Sequence, residues 1–295
     1  MLFKTKIKEF AKDWLLSPMV LYFINNWVLG IRHFSTLQKL DKKSRRLFVL
    51  ATGPSFNEDL KRYKESIQTE DAVAMNMFAT SPLFTELHPR LYLLVDPLWF
   101  KPAEFMEKST FKDNYINLRN ALLSRVSWEM NLIVPDSARN SDFVKFVQSN
   151  ANIKILYYNC RVGMKGRVGL WLMKKGWTTP PAQTVANVAA GLGVITGYKE
   201  VWMLGIDTSM HTMMRVDQKT NEMYLENQHF YGTKKEKGYR GADKNQAYTV
   251  AFFLGCAVKM FEGYERIREL ADYCGVKVIN ASSFSWVDSL ERPNI

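Results

Sequence analysis

The chain has 295 residues, of which 47% are hydrophobic and 13% aromatic, and its formal net charge is +11. This composition excludes a disordered chain and supports either one large α/β domain or two smaller ones. The positive charge favours anionic partners such as nucleic acid, acidic lipid or phosphorylated and carboxylated substrates. The 3 cysteines lack CxxC or metal-ligand spacing, which indicates a reduced, cytosolic compartment.

Residues 1–46 differ from the rest and are predicted to form two amphipathic helices. The apolar residues of the first are Phe3, Ile7, Phe10 and Trp14, with lysines between them. A second pattern follows Pro18, and the asparagines Asn25 and Asn26 interrupt its apolar span. The pattern favours helices lying on an anionic membrane surface, at the cytoplasmic inner face, over a spanning helix. The alternative is a helical hairpin packed on the protein or on another subunit.

The first strand and turn of the main domain lie at Leu47–Ser55. Leu47–Leu50 is an unbroken apolar run, typical of a strand buried on both faces of a parallel sheet. The turn Thr52-Gly53-Pro54-Ser55 follows, and a helical segment comes next. Such a turn offers backbone N–H groups to a phosphate at a helix N-terminus. A plain strand-to-helix turn remains the alternative, because neither GxGxxG nor GxxxxGK[ST] is present.

From residue 47 onward, strand and helix patterns alternate. The predicted strands are 47–52, 72–76, 91–96, 131–135, 154–159, 201–207 and 277–281. Predicted helices include 141–149, 184–196 and 246–273. This order predicts an α/β fold, a Rossmann-like parallel sheet with helices on both faces. Residues 47–295 form one domain in this interpretation, and the aperiodic stretch 208–245 is an inserted lid.

Several predicted strands end in polar residues. The endings are Thr52–Ser55, Asn76, Asp96-Pro97 and Gly205–Asp207. Ligands of open parallel sheets bind beyond the carboxyl ends of the strands, so these residues are candidate ligand contacts. Each also has a purely structural alternative, Asn76 as a turn residue and the two aspartates as helix caps.

Three segments carry a resemblance to known families: ATGPS, AVAMNMF and QTVANVAAGLGVITGYKEVWMLGID. They resemble the bacterial sialyltransferases of glycosyltransferase family 42. They equally resemble a wider group of related domains of unknown function that includes the 6-hydroxymethylpterin diphosphokinase-like proteins. The resemblance covers roughly residues 47–285. It implies a variant GT-A fold, a CMP-activated sugar donor used without metal, and inversion at the anomeric centre.

The resemblance also implies which residues bind the nucleotide. Thr52, Gly53, Pro54 and Ser55 correspond to the first nucleotide-sugar loop. Asn76 matches an asparagine near the donor phosphate, Thr184 falls at the nucleotide pocket, and Gly205 and Asp207 match the strand end beside the nucleotide. This chain departs from the family pattern at three places. Thr52 replaces an asparagine, Thr184-Val185-Ala186 replaces Thr-Ser-Gly, and the family's lid histidine aligns near Thr233.

Chemistry that needs no metal is also expected from the residues themselves. The sequence has no DxD motif and no cluster with zinc-ligand spacing. A leaving phosphate must then be stabilised by hydroxyls, backbone donors and cations. The lid supplies candidates: Tyr224, Tyr231, Lys234, Lys235, Tyr239 and Arg240. A solvated charge run is the alternative for the lysines.

The acceptor hydroxyl needs a general base, and histidine has a reference pKa near about 6.5. Of the 4 histidines, His33 lies in the N-terminal helices and His88 in a turn next to a proline. His229 in the lid is therefore predicted as the base, with Tyr231 as a second catalytic residue. The alternatives for His229 are a packed lid histidine or a contact to the leaving group. His211, four residues after Asp207, is expected to lie nearer the nucleotide.

Three hypotheses follow for function. The first is a metal-independent glycosyltransferase that transfers a sialic acid-like sugar, CMP-linked by preference, to a lipid-linked or surface-glycan acceptor. It needs no cofactor and no nucleic acid, and it is compatible with a homo-oligomer. The second is a Mg²⁺-dependent diphosphokinase-like enzyme with Asp96 and Asp207 as its carboxylate pair. The third is a non-catalytic, membrane-bound adaptor.

Overall fold

The computed structural model describes residues 35–181, 183–229, 232–240 and 246–293. The predicted helices within residues 1–34 lie outside the described part of the chain. Among the helices of these described ranges, none has both the length and the hydropathy needed to cross a bilayer.

The fold contains a large parallel sheet and two small antiparallel ones. The strands are β1 (Arg46–Leu50), β2 (Asp71–Met75), β3 (Leu91–Leu93), β4 (Met130–Pro135), β5 (Ile153–Tyr158), β6 (Glu200–Leu204), β7 (Met214–Val216), β8 (Met223–His229), β9 (Gly232–Glu236), β10 (Tyr239–Arg240), β11 (Gln246–Ala247) and β12 (Lys277–Asn280). The α-helices are α1 (Phe56–Thr69), α2 (Pro82–Leu87), α3 (Ala103–Glu107), α4 (Lys112–Arg125), α5 (Asp142–Val147), α6 (Arg167–Lys174), α7 (Val185–Ile195) and α8 (Val250–Cys274).

The large sheet has seven parallel strands in the order β12-β6-β1-β2-β3-β4-β5. All seven correspond to predicted strands, so the predicted Rossmann-like α/β fold is confirmed. The apolar runs identify these strands because side chains on both faces are buried. Phe48 and Leu50 of β1 pack in one core with α1–α5, and Leu47 and Val49 pack in the other with α6–α8.

The chain enters the fold along one face of this sheet. The backbone N–H of Thr36 donates to the carbonyl of Tyr157 (2.8 Å), and the N–H of Tyr157 donates to the Thr36 hydroxyl (2.8 Å). Tyr157 is near the carboxyl end of β5. Further on, the Lys42 ammonium donates to the carbonyl of Thr196 (2.9 Å), one turn before β6 begins. Residues 36–45 thus run from the carboxyl edge of the sheet to its amino edge before β1 starts.

The stretch from residue 208 to 245 contains β-structure that the sequence pattern did not predict. After a short 3₁₀ helix at Met210–Met213, β7, β8 and β9 form an antiparallel sheet, and β10 pairs with β11. The helix α8 then follows, with 25 residues and a length of roughly 37 Å at about 1.5 Å per residue. It leads into the amino end of β12, so its first turns extend past the carboxyl edge of the much shorter strands.

Candidate functional site

The carboxyl edge of the large sheet has a crevice between β1 and β6. The chain proceeds from β1 to β2 on one side and returns through β6 and β12 on the other. This is the point where the strand order reverses, and ligands of open α/β sheets bind there. The sequence-predicted segments Thr52–Ser55 and Gly205–Asp207 follow these two strands, and the fold therefore brings them together.

The two loops of the crevice are in backbone contact at Gly53 and Gly205. The N–H of Gly53 donates to the Gly205 carbonyl (3.0 Å). A Cβ at Gly53 would lie 2.4 Å from that carbonyl oxygen and 2.7 Å from Oδ1 of Asp207. Gly205 has a φ of +66°, and a Cβ there would lie 2.4 Å from the Ala51 carbonyl oxygen. The sequence predicted that a ligand approaches the backbone at Gly53. In the structure, the loop after β6 fills this space.

Asp207 occupies the anion position at the start of α1. Its carboxylate accepts a hydrogen bond from the Ser55 N–H (3.0 Å) and another from the Ser55 hydroxyl, and only 5% of its surface is exposed. A helix N-terminus favours negative charge because its first N–H groups are unpaired and the dipole is positive there. The charge that satisfies this end of α1 is an internal carboxylate, where the sequence had predicted a phosphate.

Asp59 is a second buried carboxylate that sequence reasoning missed. It is fully buried and accepts from the N–H groups of Gly205 (2.8 Å) and Ser283 (2.5 Å). The Ser55 hydroxyl lies 3.4 Å from its Oδ2 and also contacts Asp207. The burial had no signal in the sequence, because Asp59 belongs to a helix start crowded with polar residues.

The segment after β12 supports the end of β6 from the other side. The Ser282 hydroxyl accepts from the Ile206 N–H (3.0 Å), and the Ser285 hydroxyl donates to the Ile206 carbonyl (2.6 Å). The N–H of Trp286 donates to the carbonyl of Asp207 (3.0 Å). The position of Asp207 is therefore fixed by Ser55 at the start of α1 and by the segment that follows β12.

Thr184 reaches the same region from α7. It caps this helix, and its side chain accepts from the N–H of Asn187 (3.2 Å). The hydroxyl of Tyr264, in α8, forms hydrogen bonds with Thr184 and with Thr208, the residue after Asp207. Burial raises the pKa of Tyr264, and these two hydrogen bonds oppose that shift. One buried phenol therefore contacts both Thr184 and the residue that follows Asp207.

The other predicted nucleotide residues have more ordinary positions. Thr52 and Pro54 are exposed at the crevice. Asn76 begins a 3₁₀ turn after β2 with a φ of +51°, and its carbonyl accepts from the hydroxyl of Tyr92. Asp96 is exposed and caps the turn after β3 by accepting from the Leu98 N–H (2.8 Å). Asp96 has the structural role that the sequence offered as its alternative.

Asp96 and Asp207 do not meet as a carboxylate pair. They follow β3 and β6, which are three strand spacings apart, or roughly 14 Å at about 4.8 Å per strand. The metal ions of a two-metal site are only about 3.5–4 Å apart. In the described ranges, no group of three or more His, Cys, Asp or Glu side chains has a geometry that could hold a metal ion.

Of the four histidines, the structure describes the side chains of His88 and His211. The side chains of the predicted catalytic residues His229 and Tyr231 lie outside the described part, as do those of Lys234, Lys235, Tyr239 and Arg240. His88 ends α2 in a left-handed conformation and packs on Trp128, with ring centroids 4.5 Å apart. His211 lies edge-on to Trp286 (4.8 Å) and Phe261 (5.7 Å). Within the described chain, the Nδ1 atom of His211 is buried without a hydrogen-bond partner.

A cavity of about 170 Å³ lies beside the crevice, between the start of α7, the 3₁₀ helix and the first turns of α8. We call it the α7–α8 cavity. The described residues that line it are Gln183, Thr184, Met210, His211, Tyr248, Phe253, Cys256, Ala257 and Met260. Gln183, Thr184 and His211 are polar, most of the others are apolar or aromatic, and none of these described residues is Lys, Arg, Asp or Glu. Sequence periodicity could not have found it, because three distant segments form its wall.

Comparison with known proteins gives a fold and no family. No family model and no curated protein matches the sequence. The chain is similar in structure to the MAf glycosyltransferase from Magnetospirillum magneticum AMB-1, with a TM-score of 0.51 and 13% sequence identity. The similarity covers 89% of this chain but only 36% of that protein's length. At this identity the similarity shows the shared fold alone.

The contact between Gly53 and Gly205 predicts opposite effects of the same substitution at two glycines. Gly53→Ala should lower the free energy of unfolding by about 1–3 kcal/mol, because its Cβ would overlap a backbone oxygen. Gly255→Ala, within α8 where a Cβ would meet nothing within 4 Å, should raise it by roughly 0.5–1 kcal/mol. Urea unfolding measures both. Equal stability of Gly53→Ala and the parent would show that the two loops are not in contact in solution.

Proposed function

We propose that this protein is a glycosyltransferase that binds a nucleotide-activated sugar at the crevice between β1 and β6. The observation that carries the proposal is the crevice at the carboxyl edge where the strand order reverses, with Thr52 exposed beside the joined loops of β1 and β6. A fold shared with a glycosyltransferase supports it. The small sheet β7–β9 follows β6 directly, so the lid candidates of the sequence are attached to this same edge.

A CMP-linked, sialic acid-like donor is the form of the proposal that we favour. Two buried carboxylates, Asp59 and Asp207, lie at the floor of the crevice, and Asp207 already caps α1. Like charges repel strongly where water is excluded, so a donor with one phosphate is opposed less than a sugar diphosphate. The exposed Thr52 offers a hydroxyl to the donor, and Lys234 and Lys235 are the proposed cations for the leaving phosphate.

The proposed acceptor is a lipid-linked or surface glycan, met at a membrane that residues 1–34 contact. This part rests on the basic amphipathic pattern of those residues. It gains support from the position of Thr36, because the segment joins the fold at the carboxyl edge of β5, the edge at which the crevice opens. A peripheral position on the cytoplasmic face of the membrane is the corresponding proposal for localisation.

The donor is tested by thermal shift with CMP, UDP, GDP and ATP, each with and without Mg²⁺. At 100 times its Kd, CMP should raise the Tm by roughly 5–10 °C without metal. Thr52→Val should lower the affinity for CMP about 5- to 10-fold, because one hydrogen bond is lost. Thr85→Val, an exposed threonine of α2, is the matched control. A shift with ATP that requires Mg²⁺ would favour the diphosphokinase, and no shift with any nucleotide would contradict the proposal.

The base is tested by substitution of histidines. We propose that His229 takes the proton of the acceptor hydroxyl, so His229→Ala should lower kcat by roughly 10²–10⁴ with donor affinity kept. His88→Asn is the control, because His88 packs on Trp128 and asparagine tolerates its left-handed backbone. Steady-state kinetics with a CMP-sugar gives both constants. If His229→Ala retains most of its turnover, the base is another residue, with His211 and Tyr231 next in order.

Membrane contact is tested by deletion of residues 1–34, which leaves the Thr36 contacts to β5 in place. The shortened protein should no longer sediment with anionic liposomes and should still show the nucleotide-induced shift. Uncharged phosphatidylcholine liposomes are the control for electrostatic binding. Trp14→Glu combined with Trp27→Glu is a milder form of the same change. Undiminished sedimentation after deletion would show that these residues do not bind the membrane.

A further inference from the structure

The α7–α8 cavity has the chemistry of a binding site for an uncharged amphiphile. Its lining includes the polar side chains of Gln183, Thr184 and His211, and Phe253 and Met260 are among its apolar side chains. A volume of about 170 Å³ exceeds the roughly 150 Å³ at which an apolar protein cavity accommodates a benzene-sized molecule. The cavity is therefore large enough for a short hydrocarbon segment.

His211 supplies a polar contact that the protein itself leaves unused. Its Nδ1 atom is buried and has no hydrogen-bond partner within the described residues. Native proteins pair the large majority of such atoms, so an unpaired nitrogen in a residue that lines a cavity is unusual. The ring cannot turn away freely, because Trp286 and Phe261 hold it edge-on. A hydroxyl group in the cavity would meet His211 as one of the polar side chains of the lining, together with Gln183 and Thr184.

Exposed apolar side chains lie beside the cavity, on the 3₁₀ helix, at Trp286 and on a neighbouring stripe of α8. Met210 is 53% exposed at the cavity itself, and Trp286, against His211, is 48% exposed. Leu254 and Val258 are 42% and 56% exposed. With Phe261 they follow an i, i+4, i+7 spacing along α8, on the side that meets His211. Exposed apolar surface that adjoins a cavity marks binding sites more often than isolated exposed residues do.

We propose that the α7–α8 cavity binds the apolar chain of an amphiphilic acceptor, with the acceptor's uncharged, hydroxyl-bearing head beside His211 and Thr184. This inference rests on the proposed glycosyl transfer and names its acceptor class. The head is uncharged because no Lys, Arg, Asp or Glu is among the described residues that line the cavity. The position of Thr184, linked through Tyr264 to the loop of Asp207, places such a head next to the crevice.

The probes are n-hexyl and n-octyl β-D-glucoside below their micelle concentrations, with glucose as the head-only control. Affinity should rise about fourfold per added methylene until the cavity is full. Ala257→Trp should lower the affinity for octyl glucoside at least tenfold, because the indole would fill the cavity. Ala251→Trp, on an exposed position of the same helix, should leave it unchanged. Calorimetric titration measures these affinities, and equal binding by both variants would overturn the proposal.

A second measurement begins with the unaltered chain and compares two of its cysteines. Cys256 lines the cavity, whereas Cys160 is exposed elsewhere. Octyl glucoside should slow the alkylation of Cys256 at least fivefold and leave Cys160 unchanged, as read by mass spectrometry. No protection of Cys256 would overturn the proposal. So would a Cys256 that becomes reactive only after deletion of residues 1–34, because the chain itself would then fill the cavity.

The two proposals fail in different ways. Octyl glucoside binding without any nucleotide-induced shift would keep the cavity site and reject glycosyl transfer. A nucleotide-induced shift without octyl glucoside binding would keep the transferase and reject the cavity as the acceptor site. Transfer from a CMP-sugar to octyl glucoside, with glucose at least tenfold poorer, would support both.

Discussion

The close approach of the loops after β1 and β6 is the constraint on which the site depends. Gly53 and Gly205 leave no room for a side chain, so the two strand ends are joined backbone to backbone. This contact brings the carboxylate of Asp207 over the start of α1, where the Ser55 N–H and hydroxyl bind it. Asp59 then secures the arrangement from inside the helix. The floor of the crevice therefore consists of two buried carboxyl groups that already have hydrogen-bond partners within the protein.

Because the floor of the crevice is already occupied by carboxyl groups, other parts of the site must supply the contacts to a ligand. Because Asp207 already occupies the N-terminus of α1, this helix end does not stabilise a further anion. Under the proposed transfer, the cations that stabilise the leaving phosphate therefore come from the inserted strands. The opposite wall, formed by α7 and α8, is uncharged at the α7–α8 cavity and suits hydroxyl and hydrocarbon contacts. The carboxyl groups of Asp59 and Asp207 thus lie on one side of the strand ends, and the mainly apolar α7–α8 cavity lies on the other.

The sequence predicted the large sheet well and the site only in part. Strands buried on both faces appear as unbroken apolar runs such as Leu47–Leu50, and these runs are visible without any structure. Strands β7–β9 lack an unbroken apolar run and are rich in polar residues, so their sequence resembles that of a loop. The burial of Asp59 and the meeting of Thr184 with Thr208 depend on contacts between distant segments, which no local pattern encodes.

The entry of the chain at Thr36 has a consequence for how often the site meets its acceptor. Thr36 lies beside β5, four strand spacings from β1, or roughly 19 Å along the carboxyl edge. If residues 1–34 bind lipid, as the sequence predicts, the crevice stays within a few nanometres of the bilayer surface. A lipid-borne acceptor is then confined to the same thin layer, and its effective concentration far exceeds its average over the cell volume. Weak individual contacts to that acceptor would be sufficient under this confinement.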